Sequence, residues 1–253
     1  MSQLPLQRCL AFLDLSPSER ATLDAMAGPP TPLPKRAVIR AEGDAVDTIF
    51  FLLEGWVTSS LSLPNGDRQI VKLHLPGDML GTPSMVLAQA AETLTAITPV
   101  RLCRMSLSDY GQLFVRAPRL AAVLFLCAQQ ERITLMDRIT SLSRTSAAQR
   151  LAALLLHIDE RLRLGEPGRA PMLDLPLTQE QIGDMTGLTA VHVNRTFREL
   201  ELMGLITRRG RQVGLADLER LRQFAALPPR VWVRDPSWLP AHGAEPVPAV
   251  AAA

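Results

Sequence analysis

The chain has 253 residues, of which 47% are apolar, and this suits two domains with hydrophobic cores better than one small module. Its formal net charge of +2 excludes a polycation that binds nucleic acid by bulk charge. The sequence contains no apolar run of about 18 residues and no signal-peptide pattern, so we expect a cytoplasmic protein without membrane contact.

The N-terminal half predicts a helical segment followed by β structure. Leu4–Ala27 is predicted to be helical, with a helix starting at Ser16. Short strand-like runs separated by glycines then extend from about Val38 to Met105. These runs are Thr48–Leu53, Trp56–Leu63, Arg68–Leu75 and Val100–Met105. Asn65–Gly66, followed by Asp67, is a hairpin signal, and the regular spacing of the strands predicts a sandwich or jelly-roll barrel.

A long helix is predicted after the strands, with Pro118 in its first turn. An apolar stripe broken by Glu131 runs along it, and it consists of Leu124, Ala128, Leu135, Ile139 and Leu142. The stripe either packs on the strand domain or forms a seam between two copies of the helix. The two arrangements are compatible, because Leu120–Leu126 is apolar on nearly all sides of the helix. We favour a homodimer. Ser146 and Gln149 then form a capping box that marks the start of another domain.

The segment Leu177–Thr207 carries the main functional signal. Thr178 and Gln181 form a capping box, Gly187 suits a left-handed helix exit, and Thr189 can cap a second helix. That second helix has an inward apolar face formed by Val193, Phe197 and Leu200. Its opposite face carries His192, Arg195, Arg198 and Glu199. Two short helices joined by a glycine turn predict a helix-turn-helix, which places its second helix in the DNA major groove.

The flanking segments extend this prediction to a winged helix-turn-helix. Arg161–Pro171 is predicted to be a loop that leads into a short strand. Leu205–Leu215 predicts two further strands around Gly210, with phosphate-binding arginines at the wing tip, namely Arg208, Arg209 and Arg211. Arg195 is the best base reader, since an arginine that donates to guanine O6 and N7 discriminates by about 1–3 kcal/mol.

These parts together resemble the Crp/Fnr family of bacterial transcription regulators. The specific stretches are Phe51–Val57, Leu75–Gly81 and Thr186–Leu200, and the resemblance runs from about residue 10 to residue 227. It implies an α+β fold with an N-terminal cyclic-nucleotide-binding-like β-roll (a jelly roll), a long dimerisation helix and a C-terminal winged helix-turn-helix. The expected divisions are 1–116, 117–145 and 146–227, followed by a loosely ordered tail, 228–253, whose Trp232 and Trp238 can dock on the body.

The resemblance also implies a partner set and a mechanism. The protein would be a homodimer on double-stranded DNA, with half-sites about 34 Å apart. It would recruit or block RNA polymerase and so act as an activator or a repressor. No enzyme is expected, because the sequence contains no nucleophile elbow, phosphate loop or paired histidine metal motif.

The recognition helix matches the family only in part. Arg195 falls on the base-reading arginine, and Thr189 falls on the cap that touches phosphate. Ala190 and Val191 fall where the cyclic-AMP receptors carry an arginine and a glutamate, so those two base contacts are absent. Val191 can instead meet a thymine methyl group, and His192 can donate to a phosphate or a base edge. The predicted DNA-binding residues are Thr178, Gln179, Thr189, Val191, His192, Arg195, Arg209 and Arg211.

The β-roll departs further from the family. The residues that match the nucleotide pocket are Gly81, Thr82, Glu92 and Thr93. A carboxylate at Glu92 stands where a cation must neutralise the cyclic phosphate, so we expect no cyclic AMP binding in the usual mode. We predict no cofactor, and the effector is unidentified. The alternatives are an effector-independent DNA binder whose β-roll is only a dimer scaffold, or a haem or redox sensor.

Cysteine and histidine usage argues against the family's best-known prosthetic groups. An Fnr-type iron–sulfur cluster needs four cysteine thiolates, whereas this chain has three widely spaced cysteines, Cys9, Cys103 and Cys127. Cys103 is expected to be a small buried hydrophobe. Cys127 lies near the predicted seam and could crosslink a dimer under oxidation. His74 is the only histidine in the β-roll, and a lone strand histidine is more often structural than a haem ligand.

Overall fold

The computed structural model describes residues 4–66 and 68–239. Asp67 of the predicted hairpin turn and the end of the predicted tail lie outside the described residues. The N-terminal segment forms two helices, α1 (Gln7–Leu10) and α2 (Pro17–Met26). Ser16 caps α2, because its hydroxyl accepts from the Glu19 amide at 3.1 Å while the Glu19 carboxylate accepts from the Ser16 amide at 2.7 Å. The predicted helical start is therefore confirmed, but as two helices.

Two four-stranded antiparallel sheets form the β-roll, in the orders β1-β8-β3-β6 and β2-β7-β4-β5. The strands are β1 (Thr31–Leu33), β2 (Val38–Arg40), β3 (Thr48–Glu54), β4 (Val57–Ser62), β5 (Arg68–His74), β6 (Met79–Leu80), β7 (Thr93–Ala96) and β8 (Val100–Ser106). The four predicted runs correspond to β3, β4, β5 and β8. The sequence analysis did not resolve the other four, because strands of two to four residues are too short to show alternation.

The long predicted helix is present as α4 (Pro118–Arg144), preceded by α3 (Leu107–Arg116). The first half of α4 packs on the N-terminal helices and buries Leu124 with its neighbours. Further along, the remaining stripe residues are exposed in the single chain: Ala128, Leu135, Ile139 and Leu142. Within the described part of the chain, no single helix is long and apolar enough to cross a membrane, although the bent pair α3–α4 passes that test jointly.

The C-terminal domain begins at the predicted capping box, where the Ser146 hydroxyl accepts from the Gln149 amide. Its elements are α5 (Ala147–Gly165), β9 (Met172–Asp174), α6 (Gln179–Thr186), α7 (Ala190–Leu202), β10 (Ile206–Arg209), β11 (Gln212–Leu215) and α8 (Leu218–Ala225). The predicted loop Arg161–Pro171 is wrong over its first five residues, which continue α5. Arg163 supports this extra turn by pairing with the buried Asp159 at 2.6 Å.

The two domains pack directly on each other. Ile70, Leu73 and Leu75 of the β-roll belong to the same buried apolar cluster as α5, α6 and α7. The Gln69 amide nitrogen also donates to the Asp184 carbonyl on α6. The β-roll and the long helix therefore fix the orientation of the helix-turn-helix.

The described part of the tail lies against the body without helix or strand. Arg230 donates two hydrogen bonds to the Asp137 carboxylate on α4, at 3.1 and 2.5 Å. The Trp232 ring meets Phe12 edge-on, with centroids 6.4 Å apart. Trp238 remains 63% exposed, so of the two tryptophans expected to dock only Trp232 makes an aromatic contact with the body.

Candidate DNA-binding surface and β-roll pocket

The helix-turn-helix is formed by α6 and α7 and by the turn between them. The predicted capping box at Thr178 is present, with the threonine hydroxyl accepting from the Gln181 amide at 3.2 Å. Gly187 adopts φ +68° at the exit of α6, a conformation that favours glycine. A methyl group on Gly183 would lie 2.3 Å from the Leu188 carbonyl oxygen. Gly183 therefore permits the close turn, and its only sequence signal was a glycine inside a predicted helix.

The recognition helix α7 buries one face and exposes the other. Thr189 caps it by accepting from the His192 amide at 3.3 Å. The inward face of Val193, Phe197 and Leu200 is fully buried, as predicted. The outward side chains are Val191, His192, Asn194, Arg195, Arg198 and Glu199, all exposed. An exposed polar face on a helix anchored by its apolar face is what insertion into a major groove requires.

Two arginines outside the motif hold the C-terminal end of α6. Arg138 on α4 donates to the Met185 carbonyl at 2.8 Å and to the Ile70 carbonyl on β5 at 2.9 Å. Arg150 on α5 donates to the Thr186 carbonyl at 2.8 Å. Guanidinium groups satisfy the free carbonyls of a helix C-terminus and complement its dipole. The sequence analysis missed both arginines, because their partners lie far away along the chain.

The three wing arginines have different surroundings. The sequence analysis placed Arg208 at the wing tip, but its guanidinium packs against α7 instead. It stacks 4.4 Å above the Phe197 ring and donates to Asn194 at 3.3 Å. Arg211 donates to the Leu175 carbonyl at 3.2 Å and lies 3.4 Å from the Asp174 carboxylate. Arg209 is exposed at the turn between β10 and β11. Arg209 is therefore the wing arginine best placed to reach a phosphate outside the protein.

The β-roll pocket contains an arginine of its own. Arg40 on β2 is 5% exposed and donates to the carbonyls of Thr48 at 3.1 Å and Gly81 at 3.2 Å. Its guanidinium lies 3.9 Å from the buried Glu92 carboxylate. Even a methyl group on Gly81 would lie 2.5 Å from the guanidinium. Glu92 is therefore neutralised from within the chain, and Arg40 occupies the space beside Gly81.

The other two predicted pocket residues serve the local fold. Thr82 begins a short 3-10 helix, Thr82–Val86. Thr93 begins β7, and its hydroxyl accepts from the Glu42 backbone amide at 3.0 Å. Of the four predicted pocket residues, Gly81 and Glu92 thus lie beside Arg40, and Thr93 binds the Glu42 backbone.

A second buried charge cluster joins the two domains. Asp78, which is fully buried, accepts from Arg8 on α1 at 2.8 Å and from Arg161 on α5 at 2.5 Å. Glu131 on α4 binds the same Arg8 at 2.5 Å and Lys72 at 2.6 Å. Burial alone would raise the pKa of the Asp78 carboxyl, but Arg161 and Arg8 outweigh it and hold the pKa well below its usual range. The cluster thus consists of charged groups that neutralise one another.

His74 lies beside this cluster and is enclosed by the protein. Its Nε2 atom is 2.6 Å from the Ser59 hydroxyl, and its Nδ1 atom is 3.9 Å from the Asp78 carboxylate. Burial, helped by the nearby Lys72 charge, lowers the pKa of His74 to about 3, so the ring stays neutral. His74 is 1% exposed, so its ring nitrogens are not accessible to a haem iron from outside.

Known proteins resemble the chain in sequence and structure. Residues 30–117 match the cyclic nucleotide-binding domain family, and residues 149–224 match the Crp-like helix-turn-helix domain family. Nitrogen fixation regulation protein FixK of Bradyrhizobium diazoefficiens is 33% identical over 186 residues, covering 74% of this chain and 77% of that protein. Transcriptional activator protein FnrL of Cereibacter sphaeroides is 30% identical over 187 residues, covering 72% and 75%. The structure of FixK2 from Bradyrhizobium japonicum is 27% identical with a TM-score of 0.71, covering 80% of this chain and 99% of that one.

Proposed function

Because the chain belongs to the Crp/Fnr family of transcription regulators, we propose that it binds palindromic promoter sites as a homodimer and controls transcription by recruiting or blocking RNA polymerase. The observation that carries this proposal is the geometry of α7, whose buried apolar face anchors an exposed polar face. In that position Arg195 reads a guanine, Val191 contacts a thymine methyl group and His192 binds a phosphate or a base edge. A cytoplasmic location is part of the proposal, since its target is promoter DNA.

The exposed stripe on α4 supports the homodimer. Leu135, Ile139 and Leu142 leave apolar surface uncovered on one side of a helix whose first half is buried, and Ile139 is 67% exposed. Pairing this face with a second copy would remove it from water and place two recognition helices on one DNA molecule. We expect Ile139→Glu to raise the dimer dissociation constant at least about ten-fold in analytical ultracentrifugation. Thr140→Glu, exposed away from the stripe, is the matched control, and equal effects of both variants would exclude this seam.

Selection of DNA sites from a random pool tests the role of Arg195. Arg195→Ala is expected to weaken binding to the selected site by about 1–3 kcal/mol and to relax the preference at one position in each half-site. Arg209→Ala is the control, because losing a phosphate contact weakens all sequences equally and lowers the salt dependence. An unchanged site preference in Arg195→Ala would contradict the assigned base contact.

We further propose that the β-roll does not take cyclic AMP in the family's usual mode. Arg40 already pairs with Glu92 and donates to the Gly81 carbonyl where a ligand phosphate would need a cation. Calorimetric titration of the full chain with cyclic AMP is expected to give no saturable heat. Saturable binding with an affinity that Arg40→Leu alters would show that the pair opens for the nucleotide.

The same observation favours a second candidate, an effector-independent DNA binder whose β-roll is a scaffold for α4. This candidate predicts the same DNA affinity with and without added small molecules, whereas a sensor changes its affinity with one of them. Gel shifts with the full chain, repeated over a panel of nucleotides and metabolites, separate the two. An absorption spectrum of the purified protein tests the haem alternative, since bound haem is coloured.

A further inference from the structure

Two of the three cysteines meet in the folded chain although they are far apart in sequence. Cys9 lies on α1, Cys127 lies on α4, and both belong to the buried cluster between the N-terminal helices and α4. Both side chains line the same small cavity, so the two thiols lie close together. Their spacing along the chain gave no sign of this proximity, because 117 residues separate them.

A small cavity opens beside the two thiols. Its volume is about 50 Å³, and its lining includes Cys9, Cys127, Arg8, Tyr110 and Glu131. Such a space holds a few water-sized molecules and is too small for a bulky prosthetic group. A small oxidant such as a peroxide therefore fits next to both sulfur atoms.

The surroundings distinguish the two thiols chemically. The neighbouring Cys9 thiol lowers the pKa of the Cys127 thiol, and Arg8 lowers it further against the effect of burial. Arg8 also donates to the Cys127 carbonyl at 3.2 Å, which keeps its positive charge close. The Cys127 thiol and burial raise the pKa of the Cys9 thiol, although Arg8 acts in the opposite direction there as well. We therefore assign Cys127 as the nucleophile and Cys9 as its partner.

We propose that Cys9 and Cys127 form an oxidisable pair, in which Cys127 reacts with a peroxide and Cys9 closes an intrachain disulfide. The Cys127 thiolate attacks one peroxide oxygen, the O–O bond breaks, and the departing hydroxide takes a proton to become water. The Cys9 sulfur then displaces the hydroxyl group of the Cys127 sulfenic acid, forming the S–S bond and a second water. The two thiols lose two electrons, and the peroxide gains them.

Burial decides between this intrachain bridge and the dimer crosslink that the sequence suggested for Cys127. Cys127 is 8% exposed and Cys9 is 5% exposed, and both line the same cavity. A Cys127 bridge between two chains would first require α1 to leave α4. The structure therefore places the reaction within one chain, independently of DNA binding.

Peptide mapping of the purified full-length protein tests the proposal. After brief treatment with hydrogen peroxide and alkylation of free thiols, we expect a linked Cys9–Cys127 peptide that a thiol reductant releases. Cys103 provides the internal control, because it is buried without a second cysteine and burial raises the pKa of its thiol. Cys127 is expected to lose its free thiol about ten-fold faster than Cys103, or more. Equal rates at the two positions, or a bridge between chains, would overturn the proposal.

Three variants assign the roles of the two sulfur atoms. Cys9→Ser is expected to accumulate a sulfenic acid at Cys127, which dimedone traps. Cys127→Ser is expected to give neither the disulfide nor a trapped sulfenic acid at Cys9, while Cys103→Ser behaves like the natural chain. Trapping at Cys9 instead of Cys127 would reverse the assignment and contradict the proposal. The peptide map of the natural chain needs no substitution, so it decides the pairing even where a variant folds poorly.

Discussion

Two arginines of this chain, Arg195 on α7 and Arg40 on β2, illustrate how differently its two domains use polar groups. Arg195 is exposed on the outer face of the recognition helix. Arg40 is buried and bound to two backbone carbonyls and a glutamate. The recognition helix leaves its donors open to an external partner, whereas the Arg40 guanidinium binds groups of the chain itself. In the domain that matches a nucleotide-binding family, Arg40 therefore fills the space beside Gly81.

At the junction between the domains, arginines also bind groups within the chain. Asp78 belongs to the β-roll, but one of its two arginine partners, Arg161, belongs to α5 of the DNA-binding domain. Arg138 similarly connects α4, β5 and α6 through carbonyl oxygens. Internal polar contacts of the β-roll thus reach the helix-turn-helix and set its orientation, while the face of α7 stays clear of them.

The strongest test of this internal arrangement is Asp78→Asn. Removing the carboxylate charge leaves Arg8 and Arg161 buried without their shared partner, so we expect the free energy of unfolding to fall by about 3–5 kcal/mol. Urea unfolding followed by circular dichroism measures the loss. Glu54→Gln is the matched control, because it breaks the exposed pair with Arg101 and should cost about 0–1 kcal/mol. Equal losses would mean that water reaches the Asp78 cluster.

Breaking the Arg40–Glu92 pair in the β-roll is expected to have the next largest effect on the free energy of unfolding. Arg40→Leu removes hydrogen bonds to Thr48 and Gly81 and leaves Glu92 buried without a cation, which should lower the free energy of unfolding by about 1–3 kcal/mol. The double variant Arg40→Leu/Glu92→Leu should recover part of this loss, because it also removes the buried charge. Losses that simply add would show that the two side chains do not interact, and the β-roll pocket would then be open to ligand.

The sequence predicted the features that depend on contacts between neighbouring residues, and it missed those that depend on residues far apart in the chain. The capping boxes at Thr178 and Ser146 and the glycine exit at Gly187 depend on residues within one or two helical turns, and each was predicted correctly. The pairs Arg40–Glu92 and Cys9–Cys127 join positions that only the folded β-roll and α4 bring together. No periodicity or spacing signals such pairs, because each partner alone is an ordinary polar residue or a lone cysteine. The loop predicted from Arg161 was wrong over its first turn, where the local pair Arg163–Asp159 and the long-range pair Arg161–Asp78 both bind residues of α5. Only the second of these pairs is beyond the reach of local sequence patterns.

The smallest expected effect is the decrease in the free energy of unfolding at acidic pH that comes from the buried His74. His74 has an ordinary pKa of 6.5 in the unfolded chain and about 3 in the folded chain. Above pH 6.5 the ring is neutral in both states and contributes no pH dependence. As the pH falls below 6.5, the unfolded chain binds a proton that the folded chain refuses, so stability decreases by about 1.4 kcal/mol per pH unit from this group.

Urea unfolding at pH 7.5, 6 and 5 should therefore show a steeper decline for the natural chain than for His74→Gln. A remaining slope is expected in the variant, because burial also lowers the pKa of His157, to about 4. The Asp78 contribution has a separate window, since a carboxylate with a lowered pKa loses its stabilising effect only as the pH falls below its ordinary value of 3.8. Equal slopes in His74→Gln and the natural chain above pH 5 would show that water reaches His74 and that this part of the junction is not sealed.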